Sequence, residues 1–231
     1  MIVVAGGTKG GSGKTTIATN LAIMRAALGR DVLLIDADDQ ESASDFTVLR
    51  NERDTVEAKY TIIKLTGVAV RTETQRLMPK YDDVVIDAGG RDTASQRAAL
   101  TVADVLLVPF VPRSYDIWTL EKVTTLVREI RPINPSLRAY TFLNRADASG
   151  PDNDDAAVVL RESEEFTFLD TAIGYRKVFG KAAAQGLAVT ELRPLDEKAI
   201  HEMQALFRAV FSVKHASRTT TVTSRIQAES V

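Results

Sequence analysis

The chain has 231 residues, 45% hydrophobic and 26% charged, which suits one α/β domain of ordinary size with a buried core. A formal net charge of −2 gives no global argument for nucleic acid or membrane, so any basic binding surface has to be local. Having no cysteine, the sequence excludes disulfides, thiolate metal sites and cysteine-held iron–sulfur clusters, and it fits a reducing cytosol; the two histidines, His201 and His215, lack a ligand-spaced partner for zinc.

The first element is the apolar run Ile2-Val3-Val4-Ala5, which predicts a buried strand. A glycine-rich stretch from Gly6 to Gly13 follows, and then an amphipathic run with Ile17, Leu21, Met24 and Leu28 on one helical face. Strand, glycine loop and helix form the pattern of a phosphate-binding P-loop. Gly10, Gly11 and Gly13 let backbone N–H groups, with that of Ser12, close around a phosphate without a Cβ in the way. The helix N-terminus adds its dipole, Lys14 can reach the terminal phosphates, and Thr15, followed by Thr16, offers its hydroxyl to Mg²⁺. A strict match to the motif wants glycine at position 8, where this chain has Thr8.

Past Gly29, a natural helix stop, Asp31 to Asp36 reads as a parallel strand that runs into Ala37-Asp38-Asp39-Gln40. Carboxylates just beyond the C-terminal end of such a strand lie where open α/β sheets bind ligands. Ser42 to Leu49 suggests a short helix, Tyr60 to Leu65 a strand and Val68 to Met78 a polar-faced helix, closed by Pro79 and an acidic turn. Val84-Val85-Ile86-Asp87 is a buried strand ending in an acid, a Walker B pattern with Asp87 placed to hold Mg²⁺ through water.

Helix Thr93–Val102, strand Val105–Phe110 and a helix from Tyr115 to Ile130, with Trp118 as a packing residue, come next. A strand from Ala139 to Leu143 ends in Asn144, and the acidic, glycine- and proline-containing stretch Asp147–Asp155 reads as a surface loop insertion. Short apolar segments at Phe166–Leu169 and Thr171–Ile173 precede a final amphipathic helix, Asp196 to Phe211. Alternating strands and helices predict a doubly wound α/β fold, a mostly parallel sheet with helices on both faces. Residues 1–213 make one domain, and residues 214–231 a polar tail expected to be disordered.

Lys9-Gly10-Gly11-Ser12-Gly13-Lys14-Thr15-Thr16 resembles the deviant Walker A motif of the ParA/MinD family of P-loop ATPases. The resemblance implies ATP and Mg²⁺ as ligands and dimerisation on ATP, with Lys9 reaching across a nucleotide-sandwich dimer to the partner's phosphates. A second cation beside the leaving phosphate offsets charge built up during transfer. Asp36-Ala37-Asp38-Asp39-Gln40 is similar to the family's Asp-x-Asp-Pro-Gln, with Asp39 in place of the proline. By that match Asp38 orients the attacking water and Asp36 acts nearer the metal, while Asn144 contacts the adenine. The family carries prolines after the Walker B acid; Gly89-Gly90 here imply a looser switch.

The resemblance is closest to small, ParF-like partition proteins. It implies slow, partner-stimulated ATP hydrolysis that segregates plasmid or chromosomal DNA, with a ParB-like centromere-binding protein or a cargo adaptor as stimulator. Because the sequence starts at its first strand, the N-terminal DNA-reading extension of larger relatives is not expected. Between residues 172 and 218, eight lysines and arginines face four acids. Arg176, Lys177, Lys181, Arg208 and Lys214 are therefore candidates for non-specific DNA binding, and a cytoplasmic, nucleoid-associated location follows. The tail offers almost no apolar face, against a membrane anchor. The alternatives are a positioning ATPase for a protein cargo or the division site, and a metabolic P-loop ligase of the dethiobiotin or cobyrinate type. A ligase needs a polar substrate constellation of its own, which the sequence does not display.

Overall fold

The computed structural model describes residues 1–90, 93–112, 117–149 and 151–211, with the side chains of Ile117 and Trp118 excepted. The expectations for Trp118, for Lys214 and for the polar tail lie outside the described residues. Seven strands alternate with helices: β1 (Ile2–Ala5), α1 (Lys14–Ala26), β2 (Val32–Ala37), α2 (Ser42–Asn51), β3 (Thr61–Lys64), α3 (Ala69–Leu77), β4 (Asp83–Ala88), α4 (Ala94–Leu100) and β5 (Val105–Phe110). The series continues with α5 (Ile117–Ile130), β6 (Arg138–Ala146), α6 (Asp152–Arg161), β7 (Thr167–Gly174), α7 (Lys177–Ala183) and α8 (Glu197–Phe211).

The strands form one sheet in the order β3-β2-β4-β1-β5-β6-β7, with every pairing parallel. The expected doubly wound architecture is therefore present, and the sheet is parallel throughout. Period-two alternation sorts each strand's side chains between the two faces. Ile2, Val4, Leu33, Ile35, Val84 and Ile86 pack on one side against residues of α3 to α6. Val3, Ala5, Leu34, Val85 and Leu107 point to the other, where α1, α2 and α8 cover them. Buried on both faces, the central strands carry unbroken apolar runs, as parallel sheets require.

The stretch read as a loop from Asp147 to Asp155 is non-helical at residues 147–149, but from Asp152 on it is the start of α6. Its acids are a helix signal rather than a loop signal: Asp152, Asp154 and Asp155 occupy the first turn, where negative charge complements the helix dipole, and Pro151 stands at the cap. The two apolar segments around residue 170 merge into the single strand β7, whose register against β6 slips at two places beside Asn144. No helix among the described residues is long and apolar enough to cross a membrane.

Candidate nucleotide site

The sheet turns about β1, which pairs with β4 on one side and β5 on the other. Connections leave this centre in opposite directions, so a crevice opens beyond the carboxyl ends of the strands. The glycine loop, the Asp36–Gln40 segment and the loop after Asp87 all emerge there. Asp36 stands opposite Asp87, and Ala5 also pairs with Asp87, so both acids flank the start of the glycine loop.

The loop is built for close approach. A Cβ on Gly6 would stand 2.9 Å from the Leu106 side chain, and Gly13 adopts a left-handed φ of 95°. Helix α1 begins at Lys14 without a side-chain cap, which leaves its first N–H groups to the loop's interior. Lys14 is 5% exposed and donates to the Lys9 carbonyl at 2.9 Å. Burial holds the Lys14 ammonium below its usual range, and Asp87 and Asp38 counter that effect. A buried ammonium near two acids, resting on a backbone carbonyl, is poised to exchange that carbonyl for a phosphate oxygen.

Asp87 is fully buried, and neither carboxylate oxygen has a hydrogen-bond partner among the described residues. Burial raises its pKa to about 7; the nearby Thr15 hydroxyl and Lys14 oppose this, and Asp36 and Asp38 add to it. Such an orphaned acid fits a cation that arrives with the nucleotide. No group of three or more acids or histidines among the described residues could hold a metal alone. That matches Mg²⁺, which keeps waters and phosphate oxygens and takes only one or two protein ligands. Thr15 and Asp87 are the groups that could supply them.

Asp36 also has a structural role. One of its oxygens accepts from the Ser44 backbone at 2.8 Å and the Ser44 hydroxyl at 2.7 Å, which anchors the first turn of α2; the other carries a single long contact from Asp38 N–H at 3.3 Å. Asp38 is less enclosed and accepts a local bond from Gln40 N–H at 3.2 Å. Gly89 and Gly90, where a looser switch is expected, stand close to two neighbouring loops. A Cβ on Gly90 would lie 2.8 Å from both N and Cα of Gly10, and one on Gly89 would lie 3.0 Å from the Asp38 carboxylate. These glycines let the loop after Asp87 pack against the phosphate loop and the Asp38 loop.

Asn144 is buried on β6 where the register against β7 slips, and its amide nitrogen donates to the Ser12 carbonyl at 2.6 Å. A cavity of about 250 Å³ opens beside it, lined by Gly13, Thr16, Asn144, Ile173, Tyr175 and Phe179. Gln96 escaped sequence reading: it is fully buried and accepts from Gly7 N–H at 2.9 Å. Thr93-x-x-Gln96 is a capping-box pattern, and Thr93 does cap α4 by accepting from Gln96 N–H at 3.1 Å. The glutamine side chain turns to the glycine loop instead of returning to the cap.

Of the expected cationic surface, Lys177, Lys181 and Arg208 are exposed. Arg176 is corrected. Its guanidinium forms a two-pronged pair with Glu202 of α8, at 3.0 and 2.5 Å, and Glu202 also accepts from Gly174 N–H. The pair raises the arginine's pKa and consumes its fork, so Arg176 braces the turn before α7 and is not a free cation.

The family model for the CobQ/CobB/MinD/ParA nucleotide binding domain matches residues 2–211. The chain belongs to this family. Its ParA and MinD members are P-loop ATPases. It is 34% identical over 204 residues to maintenance of carboxysome distribution protein A of Gloeobacter kilaueensis, spanning 87% of this chain and 88% of that protein. The chromosome-partitioning ATPase Soj of Thermus thermophilus is 29% identical over 165 residues, 58% of this chain and 65% of that one. Among solved structures, the ATP complex of a Cyanothece McdA variant superposes with a TM-score of 0.75 at 16% identity, covering 94% of this chain and 98% of that chain. That last likeness speaks for the fold alone.

Proposed function

We propose that this chain binds MgATP, dimerises on it, and uses slow hydrolysis to position a large cargo over a DNA surface. The observation that carries the ATPase reading is the buried Lys14 beside the orphaned Asp87 at the mouth of the glycine loop. In this reading Lys14 and the N–H groups of residues 10–16 hold the β- and γ-phosphates. Thr15 and Asp87 hold Mg²⁺, whose charge offsets that of the transferred phosphoryl group. Asp38 orients the attacking water, and Lys9 acts on the phosphates of the partner subunit. Dimerisation would place two copies of the surface carrying Lys177, Lys181 and Arg208 on one particle, so DNA binding should rise steeply with ATP.

A protein particle is the cargo that the similarity favours, because the match to a carboxysome-distribution protein runs the length of both chains. DNA segregation is the second reading, supported by the similarity to Soj. In both, a ParB-like or cargo-bound adaptor stimulates turnover, and the dimer resides on the nucleoid.

DNA retention with and without ATP tests the shared part. Lys177→Glu with Lys181→Glu should abolish retention while ATP-driven dimerisation persists. For single substitutions that leave measurable binding, the log–log salt dependence should flatten by roughly 0.9 for every DNA phosphate no longer neutralised. Wild-type protein that ignores DNA at low salt with ATP present overturns the reading. Disrupting the gene separates the cargoes: maldistributed protein particles support the first, and plasmid loss with particles evenly spaced supports the second.

A further inference from the structure

Two buried side-chain amides grip the phosphate loop from opposite ends. At its start Gly7 N–H donates to Gln96 of α4, and at its end the Asn144 amide nitrogen of β6 donates to the Ser12 carbonyl. The loop's sequence makes room for both. A Cβ on Gly13 would stand 2.3 Å from Asn144 Nδ2, and one on Gly6 would stand 3.2 Å from Gln96 Oε1.

The pairing of β6 with β7 is irregular where this contact is made. Its register with β7 slips between Thr141 and Leu143 and again between Asn144 and Ala146. Arg145 takes a φ of 55°, uncommon for a residue with a side chain. Irregularities of this kind re-aim a neighbouring side chain, and here the side chain they deliver is Asn144, onto the loop.

The peptide plane turns these contacts into an orientation. In the planar trans peptide joining Ser12 to Gly13, the Ser12 carbonyl and the Gly13 N–H point in opposite directions. Holding the carbonyl on Asn144 therefore turns the Gly13 N–H away from β6. Holding Gly7 N–H on Gln96 fixes the preceding peptide in the same manner.

We infer that Asn144 and Gln96 are positioning residues that hold the phosphate loop in its receiving shape. The inference stands on loop contacts and is independent of the cargo. Its test uses Asn144→Ala and Gln96→Met in the full chain, with MgATP, MgITP (which lacks the 6-amino group) and Mg-tripolyphosphate, which has no base. Affinity for all three, the baseless tripolyphosphate included, should fall, by about tenfold for the loss of one hydrogen bond. In the nucleotide-free protein, amide hydrogen exchange across residues 6–16 should quicken in both variants.

An Asn144→Ala protein that loses ATP affinity while keeping its affinity for ITP and tripolyphosphate, with unchanged loop exchange, overturns the inference in favour of base reading. Unchanged affinity for every ligand overturns it as well. Should Asn144→Ala fail to fold, Asn144→Ser, too short to reach Ser12, reads the same quantities.

Discussion

Among the described residues, Arg50 near the end of α2 is the most enclosed cation outside the nucleotide site, 3% exposed. Its guanidinium donates to both oxygens of Glu191 at 2.8 and 2.9 Å, to the Gly186 carbonyl at 3.0 Å and to the Ala58 carbonyl at 2.7 Å. Gly186 has a φ of 65°, and a Cβ there would lie 2.3 Å from Arg50 N, so the chain passes this point only as glycine. Replacing Arg50 by Met strands the Glu191 charge and leaves two carbonyls unpaired. Breaking a buried pair costs roughly 3–5 kcal/mol, and the lower figure applies because Glu191 keeps some contact with water. At roughly 2–4 °C per kcal/mol for a chain of this size, melting should fall by about 6–12 °C. Arg50→Met with Glu191→Leu removes both charges and should recover about half of the loss, since the carbonyls stay unpaired. Thermal melts and urea titrations of the wild type, both single variants and the double variant give the coupling directly. An Arg50→Met protein within about 1 kcal/mol of wild type, or a double variant showing no coupling, refutes this account.

Two further outcomes follow from the site. Asp87 holds its proton up to about pH 7 in the nucleotide-free fold and only to about pH 4 when unfolded, so the folded state binds the extra proton between those values. The contribution of Asp87 to stability is therefore fully present below about pH 4 and is lost up to about pH 7, by on the order of 4 kcal/mol. Asp87→Asn should raise the melting temperature at pH 8 without nucleotide, with the gap narrowing towards pH 5; a gap independent of pH contradicts the assignment. Gly90→Ala places a methyl group 2.8 Å from the Gly10 backbone and should weaken MgATP at least about tenfold by calorimetry, while leaving the fold intact. Unchanged affinity would mean that the two loops separate freely.

What is legible in the sequence is what is encoded locally. The glycine loop, the buried strands ending at Asp36 and Asp87, and the amphipathic face of α8 each declare themselves within about a dozen residues through periodicity and backbone freedom. The burial of Lys14 and Asp87 follows from that placement. Residues whose work is done across the fold are not legible. Gln96 lies 89 positions from Gly7, Asn144 lies 132 from Ser12, and Arg50 lies 141 from Glu191. Nothing near any of these in the chain marks its partner. Regional charge misplaces Arg176 for the same reason, since it weighs Glu202 as one acid among several and not as this arginine's counter-ion. Asp36 takes its expected role from its neighbour Asp38, yet Ser44, eight residues on, occupies one of its oxygens.

Gly89-Gly90 join the local and distant levels. Strands β2, β4 and β1 are adjacent and parallel, so the segments leaving their carboxyl ends start about one strand spacing apart, roughly 4.8 Å. Three backbones that close together, two of them carrying carboxylates, cannot all keep side chains at the crossing. Here it is the loop after Asp87 that gives them up: the space of the missing Cβ at Gly90 is filled by Gly10 backbone and that at Gly89 by the Asp38 carboxylate. A proline pair, as in the family pattern, would stiffen this segment but would bring ring atoms into the same two places. This chain therefore braces the segment by contact with its neighbours in place of internal rigidity. Gly10 cannot shift towards β4 without displacing Gly90, and Gly89 cannot close further without meeting Asp38. The phosphate loop and the water-orienting acid are thus mechanically adjacent through two residues that have no side chain of their own.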